Sequence, residues 1–411
     1  MKVDLNQLFT IAGAVTVDRR HQFAGRETLL KDAFQHLMIA GTAVALYGER
    51  GVGKTSAGWQ LFAGLSGDFS LFKDRGITLD PPRTQIRCVW LKCTDFIQTI
   101  SDLVLSLLTD SGQHSLAGAF PDVFTDAEIA RVSKLYGWER GTAQSSSPKG
   151  SEKSLQPSNS ELAAFKALED LLKRAAVREP KTQLVIFLDE FEQVKESTRV
   201  GVLLKALNNV KFVIVGMATN RETLIGQHPS VVRKLNSYEV PLFTAQNVGW
   251  FFDSLETSCN KQIRFDAALR TLIANKSSGF PWLVQQLGYY SALNADERRG
   301  KEKTLVVLAD DYHSMIKSFL TTKLGNTDFD FGTLSTAGKQ ILVKLADTPK
   351  GRRGEADLIK SLDPNLHRHF DRGIQELEKI NLVQLVGKEV RVTDPLTKVL
   401  VTLAISERVI Q

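Results

Sequence analysis

The chain has 411 residues, of which 43% are hydrophobic and 24% charged, a composition typical of a globular protein and not of a disordered or fibrous one. No uninterrupted apolar run is long enough to cross a bilayer, so we expect no membrane association. Cys88, Cys93 and Cys259 follow no metal-binding or disulfide spacing, which favours a reducing, cytoplasmic location. A net charge of +6 permits contact with nucleic acid without requiring it, because 46 acids are interspersed among 52 bases.

The first strong signal is the segment ALYGERGVGKTS, residues 45–56. The apolar run Thr42–Tyr47 predicts a buried strand, and helical periodicity resumes after the glycine-rich turn. The turn matches GxxxxGK[ST], in which backbone N–H groups and a helix N-terminus hold a phosphate chain, a lysine reaches the outer phosphates and a hydroxyl binds Mg²⁺. We therefore expect ATP and Mg²⁺ as cofactors, with the nucleotide held by Gly48, Glu49, Arg50, Gly51, Val52, Gly53, Lys54, Thr55 and Ser56, and with Thr55 as a metal ligand.

A second signal follows in LVIFLDEFE, residues 184–192. Its apolar residues predict a central strand that ends in Asp189 and Glu190, at the edge where ligands of open α/β sheets bind. We expect Asp189 to bind Mg²⁺ and Glu190 to act on the attacking water in phosphoryl transfer. A buried strand followed by an acidic helix cap would give the same pattern without catalysis.

Strand and helix patterns alternate around these two motifs. Residues 85–93 and 211–220 predict further strands, while 23–37 and 95–108 predict helices. Such alternation indicates an α/β protein with a parallel sheet between helices.

Composition and periodicity divide the chain into segments. Residues 140–160 are rich in Ser, Gly, Pro and Lys, which predicts a flexible loop or, alternatively, a loop that orders on binding a partner. Residues 242–325 are helical in pattern, as in a small lid domain. We therefore predict a core over 1–241, a lid over 242–325 and a further domain over 331–411.

The order of the motifs resembles the AAA+ superfamily. The matching segments are FAGRE, GERGVGKT, LVIFLDEFE, FVIVGMATN and GFPWLVQQLG, which together span roughly residues 20–325. Within that superfamily the sequence is most similar to the branch with origin-recognition initiators, transposition ATPases of the TniB/TnsC kind and archaeal STAND-like ATPases. The resemblance implies a three-layer P-loop core with a helical lid, and homo-oligomers whose interfaces are bridged by ATP.

The same resemblance implies roles for residues outside the two motifs. Asn220, favoured over Thr219, would hold the lytic water or the γ-phosphate. Arg233 would reach the γ-phosphate of a neighbouring subunit, where its charge stabilises the transition state. A cap for Asn220 and a surface position for Arg233 remain as alternatives.

The lid segment departs from the initiator pattern, because Phe280, Pro281 and Trp282 stand where initiators usually carry an arginine. Gly-x-Pro instead resembles the STAND-like and transposition-type ATPases, in which the proline packs near the nucleotide base. Pro281 would thus lie near the base, and Arg26 near the adenine side.

The last eighty residues change character. Helical patterns at 334–347, 355–362 and 366–383, followed by two short strands around Gly387 and Lys388, predict a winged helix-turn-helix. Such a module binds DNA or docks protein partners. The residues predicted to contact DNA are His367, Arg368, His369 and Arg372 on the third helix, Lys388 in the wing, and Arg352 and Arg353 in a loop.

The sequence thus predicts a cytoplasmic ATPase that binds DNA through a winged helix and assembles with ATP. It would recruit or regulate a partner such as a transposase, helicase or nuclease. An alternative is a STAND-like switch, as in anti-phage defence, in which the winged helix docks protein. A third is a nucleotide-binding adaptor with negligible turnover.

Overall fold

The computed structural model describes residues 3–137, 159–195, 204, 207, 209–218, 224, 234–300, 302–322, 334–348 and 350–409. Contacts divide the chain into two compact units. The first, the sheet unit, holds Arg26–Gly48 and Lys54–Val240; the second holds Met1–Gly25, Glu49–Gly53 and Pro241–Gln411. Among the described helices, none combines the length and apolar character needed to cross a bilayer.

The sheet unit is built on five parallel strands. They are β1 (Ala43–Gly48), β2 (Gln85–Lys92), β3 (Thr182–Asp189), β4 (Val210–Met217) and β5 (Leu235–Glu239). Their order in the sheet is β2-β3-β4-β1-β5, and every neighbouring pair is parallel. The predicted α/β class with a parallel sheet is confirmed.

Helices cover both faces of this sheet. They are α1 (Glu27–Met38), α2 (Lys54–Leu65), α3 (Ser70–Asp74), α4 (Ile100–Thr109), α5 (Leu116–Ala119), α6 (Asp126–Tyr136) and α7 (Asn159–Arg178). Alternate strand side chains point to opposite faces. Ile186 packs in one buried cluster with Leu103 of α4 and Leu168 of α7, whereas the ring of Phe187 lies 5.4 Å from that of Phe62 of α2. The unit therefore has three layers.

Helix α4 begins later than its apolar pattern predicts, at Ile100. The Thr99 side chain accepts a hydrogen bond from the Asp102 N–H, and the Asp102 carboxylate accepts one from the Thr99 N–H. This reciprocal N-terminal cap at Thr99 makes Ile100 the first residue of the helix. Residues Asp95–Thr99, predicted to be helical, instead form a loop after β2.

The second unit begins with the one-turn helix Leu5–Leu8 and the 3₁₀ helix Val17–Gln22. It continues with α8 (Ala245–Ser258), α9 (Ala267–Lys276), α10 (Pro281–Arg298) and α11 (Ala309–Thr322). Its core contains Phe9, whose ring lies 6.2 Å from Phe251 and 6.0 Å from Phe265. The short parallel strands β6 (Ile263–Phe265) and β7 (Leu305–Val307) lie among these helices and were not predicted from the sequence.

The remaining elements of the second unit form what we call the C-terminal module. They are α12 (Thr336–Ala346), β8 (Arg352–Gly354), α13 (Glu355–Ser361), the 3₁₀ helix Pro364–His369, α14 (Phe370–Lys379), β9 (Val383–Val386), β10 (Glu389–Val392) and α15 (Pro395–Ser406). The strands form an antiparallel sheet in the order β8-β10-β9.

Two details of the module differ from the sequence-based expectation. Arg352 and Arg353 lie in β8, opposite Arg391 and Val390 of β10, so the prediction that they stand in a loop is wrong. The short strand pairs with a hairpin distant in sequence, a contact that no local pattern encodes. The helix predicted over 366–383 is also shorter, because its first turn is the separate 3₁₀ helix Pro364–His369.

Candidate active site

The glycine-rich turn joins the end of β1 to the start of α2. Gly51 has φ +77° and Gly53 φ +87°, backbone conformations that favour glycine. The turn leads directly into α2, which begins at Lys54. The first-turn N–H groups of a helix have no carbonyl partner within that helix, so they are suited to phosphate oxygens.

The register of the sheet brings the other strand ends to the same edge. Lys92, the last residue of β2, lies opposite Asp189, the last residue of β3. Gly48 at the end of β1 lies opposite Met217 at the end of β4. The chain segments that follow these four strands are therefore neighbours, as expected of parallel strands.

Asp189 and Thr55 are in direct contact at this edge. The Thr55 hydroxyl donates a hydrogen bond of 3.0 Å to Asp189 Oδ1, although the two residues are 134 positions apart. Asp189 is only 3% exposed. Burial raises the pKa of its carboxyl to about 6, even though hydrogen bonds from Thr55 and from the Glu190 N–H act in the opposite direction.

The donor set fits a magnesium ion that also binds phosphate. A hydroxyl and a carboxylate are hard oxygen ligands of the kind Mg²⁺ prefers. No group of three or more His, Cys, Asp and Glu side chains within the described residues can hold a metal ion. Thr55 and Asp189 would supply two oxygen ligands to such an ion.

Glu190 stands beside this pair in an unusual backbone conformation. Its φ of 53° and ψ of 40° place it in the left-handed region, which is uncommon for a residue other than glycine. Its side chain is about 41% exposed and forms an ion pair with Lys92, with 2.9 Å between Nζ and Oε1. The hydrogen bond to Glu190 raises the pKa of Lys92.

Lys92 was missed by the sequence analysis. The available signal was a charged residue at the end of an otherwise apolar strand, beside the acids of the next strand in the sheet. The order of the strands in the sheet decides that Lys92 lies beside these acids. Lys92 can therefore be recognised as a site residue only once β2 is known to lie next to β3.

Glu192 was missed as well. Its carboxylate accepts a hydrogen bond of 2.8 Å from the Met217 N–H, which ties the segment after β3 to the end of β4. Gly216 leaves room for this contact, since a Cβ there would lie 3.0 Å from Glu192 Oε2 and 2.4 Å from Leu224 Cδ1. The third acid of DEFE is thus a structural link near the two predicted to act in catalysis.

Of the other residues predicted at the nucleotide site, the structure describes Arg26 and Pro281. Thr219, Asn220 and Arg233 lie outside the described residues. Arg26 precedes α1 with φ 68° and is buried, and this burial lowers the pKa of its guanidinium to about 9. Pro281 is the buried first residue of α10.

The basic residues of the C-terminal module are mostly exposed. His367, Arg368 and His369 lie on the 3₁₀ helix and Arg372 on α14, while Lys388 occupies the turn between β9 and β10. Arg352 Nη1 lies 3.7 Å from Glu389 Oε2. Arg368 Nε donates to His369 Nε2 at 3.0 Å.

Residues 22–211 match the family model described as AAA ATPase domain. Solved structures that resemble the chain include the Walker-type ATPase of Pyrococcus abyssi, at 13% identity and a TM-score of 0.47, covering 96% of this chain and 99% of that one. Another is Orc1 of Aeropyrum pernix in complex with DNA, at 15% identity and 0.45, covering 95% of each.

The Holliday junction branch migration motor RuvB of Thermotoga maritima is a third, at 14% identity and a TM-score of 0.39, covering 94% of this chain and 96% of that one. None of the curated proteins matches the sequence.

Proposed function

We propose that this chain, whose residues 22–211 match the AAA ATPase domain model, couples ATP hydrolysis at the edge of the sheet to binding of DNA by the C-terminal module. In this function the chain assembles with ATP and recruits or regulates a partner protein. The observation that carries the proposal is the Thr55–Asp189 hydrogen bond, with Glu190 next to it, at the end of the glycine-rich turn.

Each side chain at this edge has a distinct task in the proposal. Lys54 binds the outer phosphates, while Thr55 and Asp189 hold Mg²⁺, which when bound offsets the charge of the phosphate oxygens. Glu190 orients the attacking water and accepts its proton. Lys92 pairs with Glu190 Oε1 and therefore competes with the water for the carboxylate.

The role of Glu190 is tested by Glu190→Gln. We expect phosphate release from Mg²⁺-ATP to fall by about 10²–10⁴-fold, the usual contribution of a general base, while nucleotide binding persists. Asp95→Asn is the matched control, because it neutralises an exposed acid in the loop after β2. Unchanged turnover in Glu190→Gln would remove Glu190 from the chemistry.

Assembly is proposed to complete the site. Arg233 of one subunit would stabilise the γ-phosphate of the next, and Asn220 would hold the water within its own subunit. Hydrolysis per subunit should then rise with protein concentration, and ATP should shift mass photometry towards oligomers. A concentration-dependent rate that survives Arg233→Ala undiminished would exclude this role for Arg233.

DNA binding is proposed for the C-terminal module, which we interpret as a winged helix. Its support is the order of elements, with α12, α13 and α14 followed by the β9–β10 hairpin, and the exposed basic side chains along it. In this proposal Arg368, Arg372 and Lys388 contact phosphates of the DNA backbone. The module also carries exposed acids such as Asp371, so its charge is mixed.

The test is the salt dependence of binding to a labelled DNA duplex, measured by fluorescence anisotropy. A phosphate contact contributes about 0.9 to the slope of log K against log salt. We expect the triple variant Arg368→Ala/Arg372→Ala/Lys388→Ala to reduce that slope by about two to three. An unchanged slope would mean that this face does not contact DNA and would favour protein docking.

A second candidate function is a slow nucleotide-controlled switch. It is favoured by one observation, that residues Glu49–Gly53 of the glycine-rich turn cluster with the C-terminal half of the chain. In that case the protein would purify as a monomer with bound ADP, and DNA would not stimulate hydrolysis. Rapid DNA-stimulated turnover would exclude it.

A further inference from the structure

The middle of the glycine-rich turn packs against apolar residues from two distant parts of the sequence. The Trp282 N–H of α10 donates a hydrogen bond of 3.3 Å to the Gly51 carbonyl. A Cβ built on Gly51 would lie 3.0 Å from Leu396 Cδ2, 3.4 Å from Trp282 Cβ and 3.8 Å from Phe280 Cδ1. Leu396 belongs to the C-terminal module, so the module reaches the turn directly.

Leu396 is held firmly in this position by the start of α15. Asp394 caps the helix, since its Oδ1 accepts from the Thr397 N–H at 2.8 Å and its Oδ2 from the Thr397 hydroxyl at 3.0 Å. Pro395 occupies the first helical position, where its fixed φ suits a helix start. Leu396 itself is 7% exposed. Its contact with Gly51 is therefore part of an ordered helix end.

The other end of α15 is tied to the lid helices. Glu407, which follows the helix, forms an ion pair of 2.7 Å with Lys276 at the end of α9. Lys276 also donates to the Ser406 hydroxyl at 3.2 Å. The two charged side chains are only 29% and 15% exposed, so water screens them less than a surface pair.

From these contacts we propose that α15 is a strap that slows release of nucleotide from the glycine-rich turn. One end of the strap, Leu396, restrains the turn at Gly51, and the other end, Glu407, anchors the helix on α9. Bound nucleotide leaves when the turn loosens, and the strap opposes that motion. The inference rests on the proposed nucleotide binding by the turn and adds a regulatory contact to it.

The first test uses a charge exchange at the anchor. The measured quantity is the rate at which fluorescent N-methylanthraniloyl-ADP dissociates from the full-length chain after excess unlabelled ADP and Mg²⁺ are added. Glu407→Lys should place two cations together and accelerate release by about tenfold, equivalent to 1.4 kcal/mol. The double variant Lys276→Glu/Glu407→Lys restores an ion pair and should return the rate towards that of the parent.

The control for this charge exchange is Glu169→Lys, which breaks the exposed Lys173–Glu169 pair on α7 and should leave the rate unchanged. A double variant that releases ADP as fast as Glu407→Lys, or a Glu407→Lys variant with the parental rate, would overturn the anchor.

The second test addresses the contact with the turn. Leu396→Ala and Leu400→Ala each remove a buried leucine from α15, 7% and 8% exposed, and Leu396 is the one whose Cδ2 lies nearest to the position of a Cβ on Gly51, at 3.0 Å. We expect faster ADP release from Leu396→Ala alone. Equal acceleration in both variants, or none in either, would overturn the strap.

Failure of the underlying function gives a different result. If the parent chain bound no fluorescent ADP, the proposed nucleotide site itself would be wrong. Binding with a release rate indifferent to Leu396 and Glu407 would instead leave the nucleotide site intact and reject the strap alone.

Discussion

The sheet edge and the basic surface of the C-terminal module both carry polar residues predicted to be functional, yet they differ physically. At the edge, Asp189 is buried, bonded to Thr55 and shifted in pKa. On the module, Arg372 and Lys388 are exposed to solvent. The first arrangement holds a carboxylate and a hydroxyl in a fixed geometry. The second leaves its charges in solvent.

The two regions support the two halves of the proposed function, ATP hydrolysis and DNA binding, to different degrees. Buried polar groups are costly, so the buried Asp189 at the edge supports the proposed site for a charged ligand. Exposed arginines and lysines cost little and are common on any surface. The predictions below test whether the two regions differ in this way, from the largest expected effect to the smallest.

Lys54→Ala should have the largest effect. Loss of its contact with the phosphates should weaken nucleotide binding by about 2–5 kcal/mol, the cost of truncating one partner of a hydrogen-bonded charge pair. Titration calorimetry with ATP and Mg²⁺ measures this change. Lys360→Ala, which removes an exposed lysine of the C-terminal module, is the control and should bind ATP normally. Equal affinities of the two variants for ATP would show that the glycine-rich turn is no more important for nucleotide binding than the C-terminal module.

Asp189→Asn should change the pH dependence of stability in nucleotide-free, Mg²⁺-free buffer. Burial raises the pKa of Asp189 from 3.8 to about 6. The stability that the protein gains from keeping this carboxyl neutral is therefore complete below pH 3.8 and is lost as the pH rises through about 6. Above that pH the carboxylate is charged and buried, and the Asn variant should be more stable by about 1–3 kcal/mol.

The measurement for Asp189→Asn is thermal or urea unfolding at pH 4 and pH 8. The advantage of the variant should be present at pH 8 and disappear at pH 4. Asp371→Asn, at an exposed position of the C-terminal module, is the control. An advantage of equal size at both pH values would contradict the assignment to Asp189 ionisation.

Lys92→Ala should increase the ATP hydrolysis rate modestly, because it frees Glu190 to orient water. The pair is substantially exposed, at 60% and 41%, so its net strength is at most about 1 kcal/mol and the increase at most about fivefold. Steady-state phosphate release provides the rate. Lys195→Ala removes another lysine, whose amine bonds Gln98 instead, and should have no effect. A slower Lys92→Ala enzyme would show that Lys92 assists catalysis.

The smallest effect concerns the cysteines. Burial raises the pKa of Cys88 and Cys93 to about 12, so at pH 8 only about one thiol in 10⁴ is a reactive thiolate. Cys88 in the sheet unit and Cys259 in the second unit are both partly exposed, whereas Cys93 is buried. Iodoacetamide should therefore add a single carbamidomethyl group, located on Cys259 by peptide mass spectrometry. Rapid labelling of Cys93 would indicate that the sheet edge opens readily.

Much of the sheet unit was predictable because its signals are local. The apolar runs ending at Tyr47 and Leu188 predict the strands β1 and β3, and the spacing of glycines, lysine and threonine predicts the turn between β1 and α2. Local capping explains where the prediction failed, since Thr99 and Asp102 start α4 later than the apolar pattern suggests. The strands β6, β7 and β8, with three residues each, carry too little periodicity to be recognised.

The sequence by itself determined which residue types are available for phosphate, magnesium and water, because short motifs encode local backbone geometry. Only the tertiary structure decided which of them meet. The order β2-β3-β4-β1-β5 does not follow the chain, so it alone brings Lys92 beside Glu190 and Thr55 beside Asp189. The contact of Leu396 with Gly51 is likewise a product of long-range packing, which apolar periodicity favours without specifying its partner.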